Sequence, residues 1–310
     1  MKSLRYLFVL FIIMTMLCIG FYLAASPQAI APFLSSLLMM AIPLALGVYL
    51  ARRLKADWRV YGIGMLTFIG SQLVHIPFNN WTLNPILKNL GLGPSSSGGD
   101  LILLALLGGL SAGVFEETAR YIVYRRWLAD VRTWGEGLMF GAGHGGVEAM
   151  ILGALAFWQF LIAWVTLNSG QAAMAPQTQA FLDAYWNNPW HFYLLPALER
   201  VAAICVHLSA ALLVLRAVTR RNLFWYLAAI GWHTTVNAAA YYAAQTWDVY
   251  TAEGLLVIAA ALSLWVVYSL RDEETARPLA ETLAQPNSPK EYQNAPDVIN
   301  SQKLEDSRYD

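Results

Sequence analysis

Two adjacent carboxylates and a guanidinium interrupt an apolar stretch that runs from Leu101 to about Tyr124. Glu116 and Glu117 precede Arg120 by four and three residues, so either carboxylate can meet the guanidinium on one helix face. A charge near the centre of a bilayer costs about 2.5–3.5 kcal/mol on insertion scales unless it faces a polar interior. If this stretch crosses a membrane, these side chains must face protein or water.

Three further apolar stretches each carry a histidine. His144 lies in the glycine-rich run FGAGHGGVE and precedes Glu148 by four residues. His233 precedes Asn237 by four residues, and His207 follows Arg200 by seven residues on the same face of its stretch. Residues four apart share a helix face, so each pair can present two polar groups in one direction.

The polar residues of the four stretches lie at similar depths. Glu117, His144, His207 and His233 are each ten residues from the expected cytoplasmic end of their helix. At about 1.5 Å per residue they lie about 15 Å into a hydrocarbon core that is roughly 30 Å thick. The spacing therefore predicts one polar cavity in the middle of the membrane, to which Glu116, Arg120, Glu148 and Asn237 also contribute.

This set of residues favours the hydrolysis of an amide. A carboxylate and an imidazole can activate water, and imidazole and amide N–H groups can stabilise an oxyanion. Alternatively, His144, His207 and His233, with Glu148 or Glu117, could hold a divalent metal such as zinc with an open position for water. No serine or cysteine is placed to pair with a histidine, so covalent catalysis is not indicated.

The composition indicates that the chain spans a membrane several times. Of its 310 residues 57% are hydrophobic and 13% are charged, whereas soluble domains are about 25% charged. Lys and Arg occur in alternate connections, which places both termini in the cytoplasm. The first stretch could instead be a signal peptide. We expect an all-α, multi-pass bundle in the plasma (inner) membrane, with about eight transmembrane helices near 5–25, 32–51, 60–80, 101–125, 135–165, 193–217, 223–245 and 253–270.

The chain divides into a bundle, 1–270, and a tail, 271–310. The tail holds nine acidic and five basic residues with few aromatic ones, which predicts a disordered cytoplasmic segment. The polar site is confined to the fourth to seventh helices, about 101–245. Most basic residues of the bundle lie in the expected cytoplasmic loops, so we expect the lipid bilayer and no nucleic acid as a partner.

Four motifs together resemble the YhfC family of intramembrane metalloproteases. They are EETARY from Glu116, GHGGVE from Gly143, the segment from Glu199 and Arg200 to His207, and WHTTVN from Trp232. That family is similar to the superfamily of type II CAAX prenyl proteases, PrsW-like proteases and the multi-pass scaffold subunit of gamma-secretase. The resemblance covers the third to seventh helices and implies the same eight-helix layout.

The resemblance also implies roles for single residues. By analogy with the CAAX proteases Glu116 is the base, His144 is its partner, and His233 and Asn237 donate to the oxyanion. Arg120 follows the carboxylates after two residues, as in the PrsW-like pattern, and not after three. This spacing leaves open which of the two glutamates acts.

Two other functions are compatible with the same residues. The charges could form a proton relay in a transporter, although no internal repeat is visible in the sequence. The chain could also be a scaffold with a degenerate site. For a protease, the expected partner is a membrane protein or lipidated peptide substrate.

Overall fold

The computed structural model describes residues 27–169 and 176–271, and within these ranges the chain forms helices and connecting turns without a strand. The predicted first span, 5–25, lies outside the described residues, as does the predicted tail after residue 271. The helices are α1 (Pro27–Leu54), α2 (Trp58–Phe78), α3 (Asn84–Asn89), α4 (Gly98–Arg126), α5 (Trp134–Asn168), α6 (Pro176–Trp186), α7 (Leu195–Arg220), α8 (Phe224–Thr246) and α9 (Val249–Ser269).

Six of the described stretches are long and apolar enough to cross a membrane. These are Gln28–Leu54, Trp58–Asn89, Gly98–Arg126, Trp134–Asn168, Trp190–Arg220 and Val249–Ser269, and they match the predicted spans two to six and eight. The predicted seventh span is α8, a helix of 23 residues that is not among the six. Its polar run from Trp232 to Asn237 lowers its hydropathy. The total of eight spans and the side on which the termini lie stay predictions.

Two details of the connections differ from the expectation. The predicted third span does not run straight to residue 80, because α2 ends at Phe78 and continues as a π-helical turn, Asn79–Leu83, into α3. The residue type of Asp100 suggests an N-cap for α4, but the structure does not place it there. The helix begins at Gly98, so Asp100 lies within its first turn.

Glycines allow α5 to lie in the middle of the bundle, against α1, α2 and α7. A Cβ on Gly143 would lie 2.1 Å from the carbonyl oxygen of Tyr61, and one on Gly64 would lie 2.3 Å from that of Phe140. The backbones of α2 and α5 therefore touch, which is the usual role of small residues between membrane helices. This contact accounts for part of the glycine run around His144.

The crossing of α2 and α5 gives a first prediction with a matched control. Gly64→Ala should destabilise the bundle by about 1–3 kcal/mol, because the added methyl group meets backbone that cannot rotate away. Gly62→Ala, one half-turn earlier, has no atom within 4 Å of the new Cβ and should be neutral or stabilise α2 by up to about 1 kcal/mol. Thermal unfolding of the two purified variants in detergent measures the difference. Equal midpoints would show that α2 and α5 do not cross here.

Candidate functional site

A cavity of about 240 Å³ lies between α4, α5, α7 and α8 and is lined largely by ionisable side chains. Its apolar wall includes Leu256 of α9. The polar lining residues are Glu116, Glu148, Glu199, Arg200, His207, His233 and Asn237. Polar residues from four separate helices thus face one common space.

Glu116 is the carboxylate of the adjacent pair that faces this cavity. Its Oε2 atom lies 3.1 Å from Nε2 of His144 and 3.8 Å from Nη2 of Arg120. Its other oxygen accepts a hydrogen bond from the Nε2 atom of Gln72, 3.2 Å away. Glu116 is therefore held from three sides, and α2 supplies one of these contacts.

Glu117 has a different environment, although it is the next residue. It is fully buried and is not part of the cavity wall. Its Oε1 atom accepts from Arg120 and lies 2.7 Å from Nδ1 of His233. A carboxylate that is paired with a guanidinium is ionised and can only accept hydrogen bonds. The short contact to His233 is therefore an Nδ1–H bond that the imidazole donates. Glu117 therefore orients His233 from behind.

His207 is fixed at both ring nitrogens. Arg120 Nη2 lies 2.6 Å from its Nδ1, and a guanidinium can only donate, so Nδ1 is the acceptor. The ring proton is therefore on Nε2, which donates to Glu148 Oε2 at 2.7 Å. Arg200 Nη1 donates to the other oxygen of Glu148 at 2.6 Å.

These contacts join into one series, which we call the charged chain. It links six side chains of α4, α5, α7 and α8, in the order Arg200, Glu148, His207, Arg120, Glu117 and His233. Arg200 also donates to Glu199. Every charged group of the chain has an opposite charge or a hydrogen-bond partner beside it, as buried charges require.

A glycine makes room for His207, the histidine in the middle of the charged chain. A Cβ on Gly145 would lie 2.7 Å from Cδ2 of His207. The ring of His207 packs between His144 and His233, with ring centroids 5.4 Å and 5.5 Å away. The glycine run of α5 therefore serves the site as well as the helix crossing.

Glu116, His144 and His207 form a set of metal-ligand donors. One donor atom from each lies within 4.8 Å of the other two, and all three residues are buried. Two imidazoles and a carboxylate are a donor set that catalytic zinc sites use. His207 adds a further feature of such sites, because its other ring nitrogen donates to the carboxylate of Glu148.

The charge balance of the site also fits a divalent cation. Four carboxylates, Glu116, Glu117, Glu148 and Glu199, are paired with only two guanidinium groups, Arg120 and Arg200. With neutral histidines the cluster carries two excess negative charges, and with His233 protonated it carries one. Two contacts fit less closely: Arg120 donates to Nδ1 of His207, and Nδ1 of His144 has no partner among the described residues. The donor types, their spacing and the charge nevertheless fit a metal such as zinc.

The structure divides the predicted site residues into three groups: possible metal ligands, members of the charged chain, and an amide in the cavity wall. Glu116, His144 and His207 converge as possible ligands, while Glu117 and Arg120 lie behind them in the charged chain. Two other predicted metal ligands form hydrogen bonds within the charged chain instead: Glu148 accepts from His207, and His233 donates to Glu117. Asn237 lines the cavity beside His233.

Two residues of the site had no predicted role. Gln72 contacts Glu116, and Arg200 anchors Glu148. The signal for Gln72 was a polar side chain within an apolar helix, three residues before His75. His75 itself is buried and has hydrogen-bond contacts to Asn79 and Ser111 at 2.9 and 3.1 Å. It does not line the cavity.

Comparisons with known proteins identify the family of this chain. The family model of the YhfC intramembrane metalloprotease matches residues 38–258, a range that contains every residue lining the cavity. A protein of Bacillus subtilis (strain 168) named "Uncharacterized membrane protein YhfC" is 31% identical over 255 residues, which cover 77% of this chain and 95% of that protein. No solved structure matches. The chain is therefore a multi-pass integral membrane protein and belongs to the YhfC intramembrane metalloprotease family.

Proposed function

We propose that this protein is an intramembrane endopeptidase that hydrolyses a peptide bond of a membrane-embedded or membrane-proximal substrate with water activated at Glu116. The observation that carries the proposal is that Glu116 faces the cavity next to two imidazoles, whereas Glu117 does not. A water molecule in this cavity can reach the carboxylate of Glu116, and a carboxylate in a site of this kind can accept its proton.

The neighbouring residues have supporting roles in this reaction. His144 holds Oε2 of Glu116, and Gln72 holds Oε1, so the carboxylate is oriented before the substrate arrives. Glu117 keeps Nδ1–H of His233 directed toward itself. In its cationic form His233 can then donate from Nε2 to a developing oxyanion, as the histidine of a catalytic triad donates to its leaving group. Asn237 supplies an amide donor in the same cavity.

A divalent metal would be held by Glu116, His144 and His207. It would supply Lewis-acid activation of water and of the scissile carbonyl. Glu148 would orient the ring of His207 by accepting the hydrogen bond from its Nε2. The assignment of Glu116 and of the oxyanion donors follows the resemblance to the CAAX proteases.

The proposal is tested on the purified protein in lipid nanodiscs. We expect about one divalent metal ion per chain by elemental analysis, and a lower content in His207→Ala. Synthetic membrane-spanning peptides should be cut, chelation should stop the cleavage, and added zinc should restore it. If no peptide is cut, the protease assignment is wrong. If metal-free protein cuts at the original rate, Glu116 acts without a metal.

A further inference from the structure

A second cavity, of about 340 Å³, lies beside the first and has no role in the reaction proposed above. It is enclosed by the π-helical turn, α3, the first half of α4 and the second half of α8. Its walls are apolar except for three asparagines and a tyrosine. The lining residues are Asn79, Leu83, Asn84, Leu87, Leu104, Ala105, Gly108, Gly109, Asn237 and Tyr241.

The two cavities meet at Asn237, which lines both. On α8, His233, Asn237 and Tyr241 follow at intervals of four residues and share one face. From His233 to Tyr241 the helix rises about 12 Å, which is the length of roughly four residues of extended chain. A segment that lies along this face can therefore reach from the second cavity to the reacting carboxylate.

Gly108 and Gly109 give the second cavity its depth. A Cβ on Gly109 would lie 2.7 Å from the carbonyl oxygen of Thr234, so α4 and α8 touch at this level. Gly108, one residue earlier, has no atom within 4 Å of a Cβ position and faces open space in the cavity wall. The rim is exposed at Asn84, Gly108, Asn237 and Tyr241, so the cavity opens at the surface of the bundle.

The amide side chains distinguish a peptide from a lipid chain as the occupant. The amide of Asn79 already accepts from Ser111 and contacts His75, whereas Asn84 and Asn237 each carry a donor and an acceptor in an otherwise apolar wall. An unwound segment of a substrate helix exposes backbone N–H and C=O groups that must be paired within a membrane. Asn84 and Asn237 can pair with such groups, whereas an acyl or prenyl chain offers them nothing.

We propose that the second cavity is the binding site for an extended segment of the substrate next to the scissile bond, with Asn84 and Asn237 pairing its backbone and the Leu and Gly walls taking its apolar side chains. This inference rests on the proposed protease function. It assigns Gly108 as the residue whose lack of a side chain sets the size of the accepted residue.

The test measures binding apart from catalysis. The Glu116→Gln protein in nanodiscs is titrated with a fluorescent 20-residue apolar peptide that carries a central Gly-Gly pair to ease unwinding. Gly108→Leu is added to fill the cavity, Gly108→Ala as the conservative change, and Gly70→Leu as a matched control. A Cβ on Gly70 also meets no atom within 4 Å, and Gly70 lines neither cavity.

We expect Gly108→Leu to weaken peptide binding at least about tenfold, with Gly108→Ala and Gly70→Leu within twofold of their parent. The inference is overturned if the peptide does not bind the parent protein, or if Gly108→Leu binds the peptide equally well. It is also overturned if farnesol displaces the peptide and the binding of farnesol depends on Gly108, because the site then takes a prenyl chain. Cleavage is measured separately with Glu116 intact. Binding that depends on Gly108 without any cleavage would overturn the protease function and leave the peptide site standing.

Discussion

Glu116→Gln should lower kcat/KM for peptide cleavage by about a thousandfold or more while the protein remains folded. Glutamine keeps the shape of the side chain and can still contact Gln72 and His144, but it can neither accept a proton from water nor serve as an anionic ligand. Loss of general-base function alone costs about 10²–10⁴-fold. The cleavage of a membrane-spanning peptide, followed by mass spectrometry, measures the effect.

The matched control is another buried carboxylate of the membrane region. Glu253 of α9 is 7% exposed and lines neither cavity. Glu253→Gln makes the same chemical change and should leave kcat/KM within about twofold. If Glu116→Gln cleaves as fast as Glu253→Gln, the acting carboxylate is not Glu116.

Arg120→Met should produce the largest loss of stability in the bundle, about 3–5 kcal/mol. The guanidinium is fully buried, donates to Glu117 and His207, and lies 3.8 Å from Glu116. Methionine fills much of its volume but leaves Glu117 as a buried charge without a cation, which is the costly way to break such a pair. Unfolding in detergent with increasing denaturant measures the change.

A second substitution separates the charge effect from packing. In Arg120→Met with Glu117→Gln both charges are gone, so most of the lost stability should return although activity should not. Arg59→Met removes the cation of an exposed pair with Asp130 and should leave the unfolding midpoint unchanged. If the double variant is no more stable than Arg120→Met, the charge of Glu117 is not the source of the loss.

The helices of the bundle could be predicted from the sequence, because a helix that crosses a bilayer needs an apolar run of about 20 residues. Every predicted span within the described residues corresponds to a helix, with ends that differ by a few residues. The π-helical turn after Phe78 was not predicted, because such a turn has no signal in the apolar pattern. The polar run of α8 marked a site residue and at the same time weakened the membrane signal of that helix.

The site was predictable as a set of residues but not as an arrangement. Depth along each helix follows from residue number, so the convergence of histidines on a carboxylate could be expected. The direction of two adjacent glutamates could not, because they differ by about 100° around α4 and only the neighbouring helices decide which one faces the cavity. The contact of Gln72 with Glu116 likewise depends on how α2 packs on α4.

Arg120 has a consequence for the membrane as a whole. Hydrogen-bonded side chains in a bilayer can pass protons from one to the next, and an enzyme with a wet interior risks discharging the gradient that its cell maintains. A guanidinium does not give up its proton in proteins. Because Arg120 stands between His207 and Glu117, proton transfer along the hydrogen bonds of this series stops at its guanidinium.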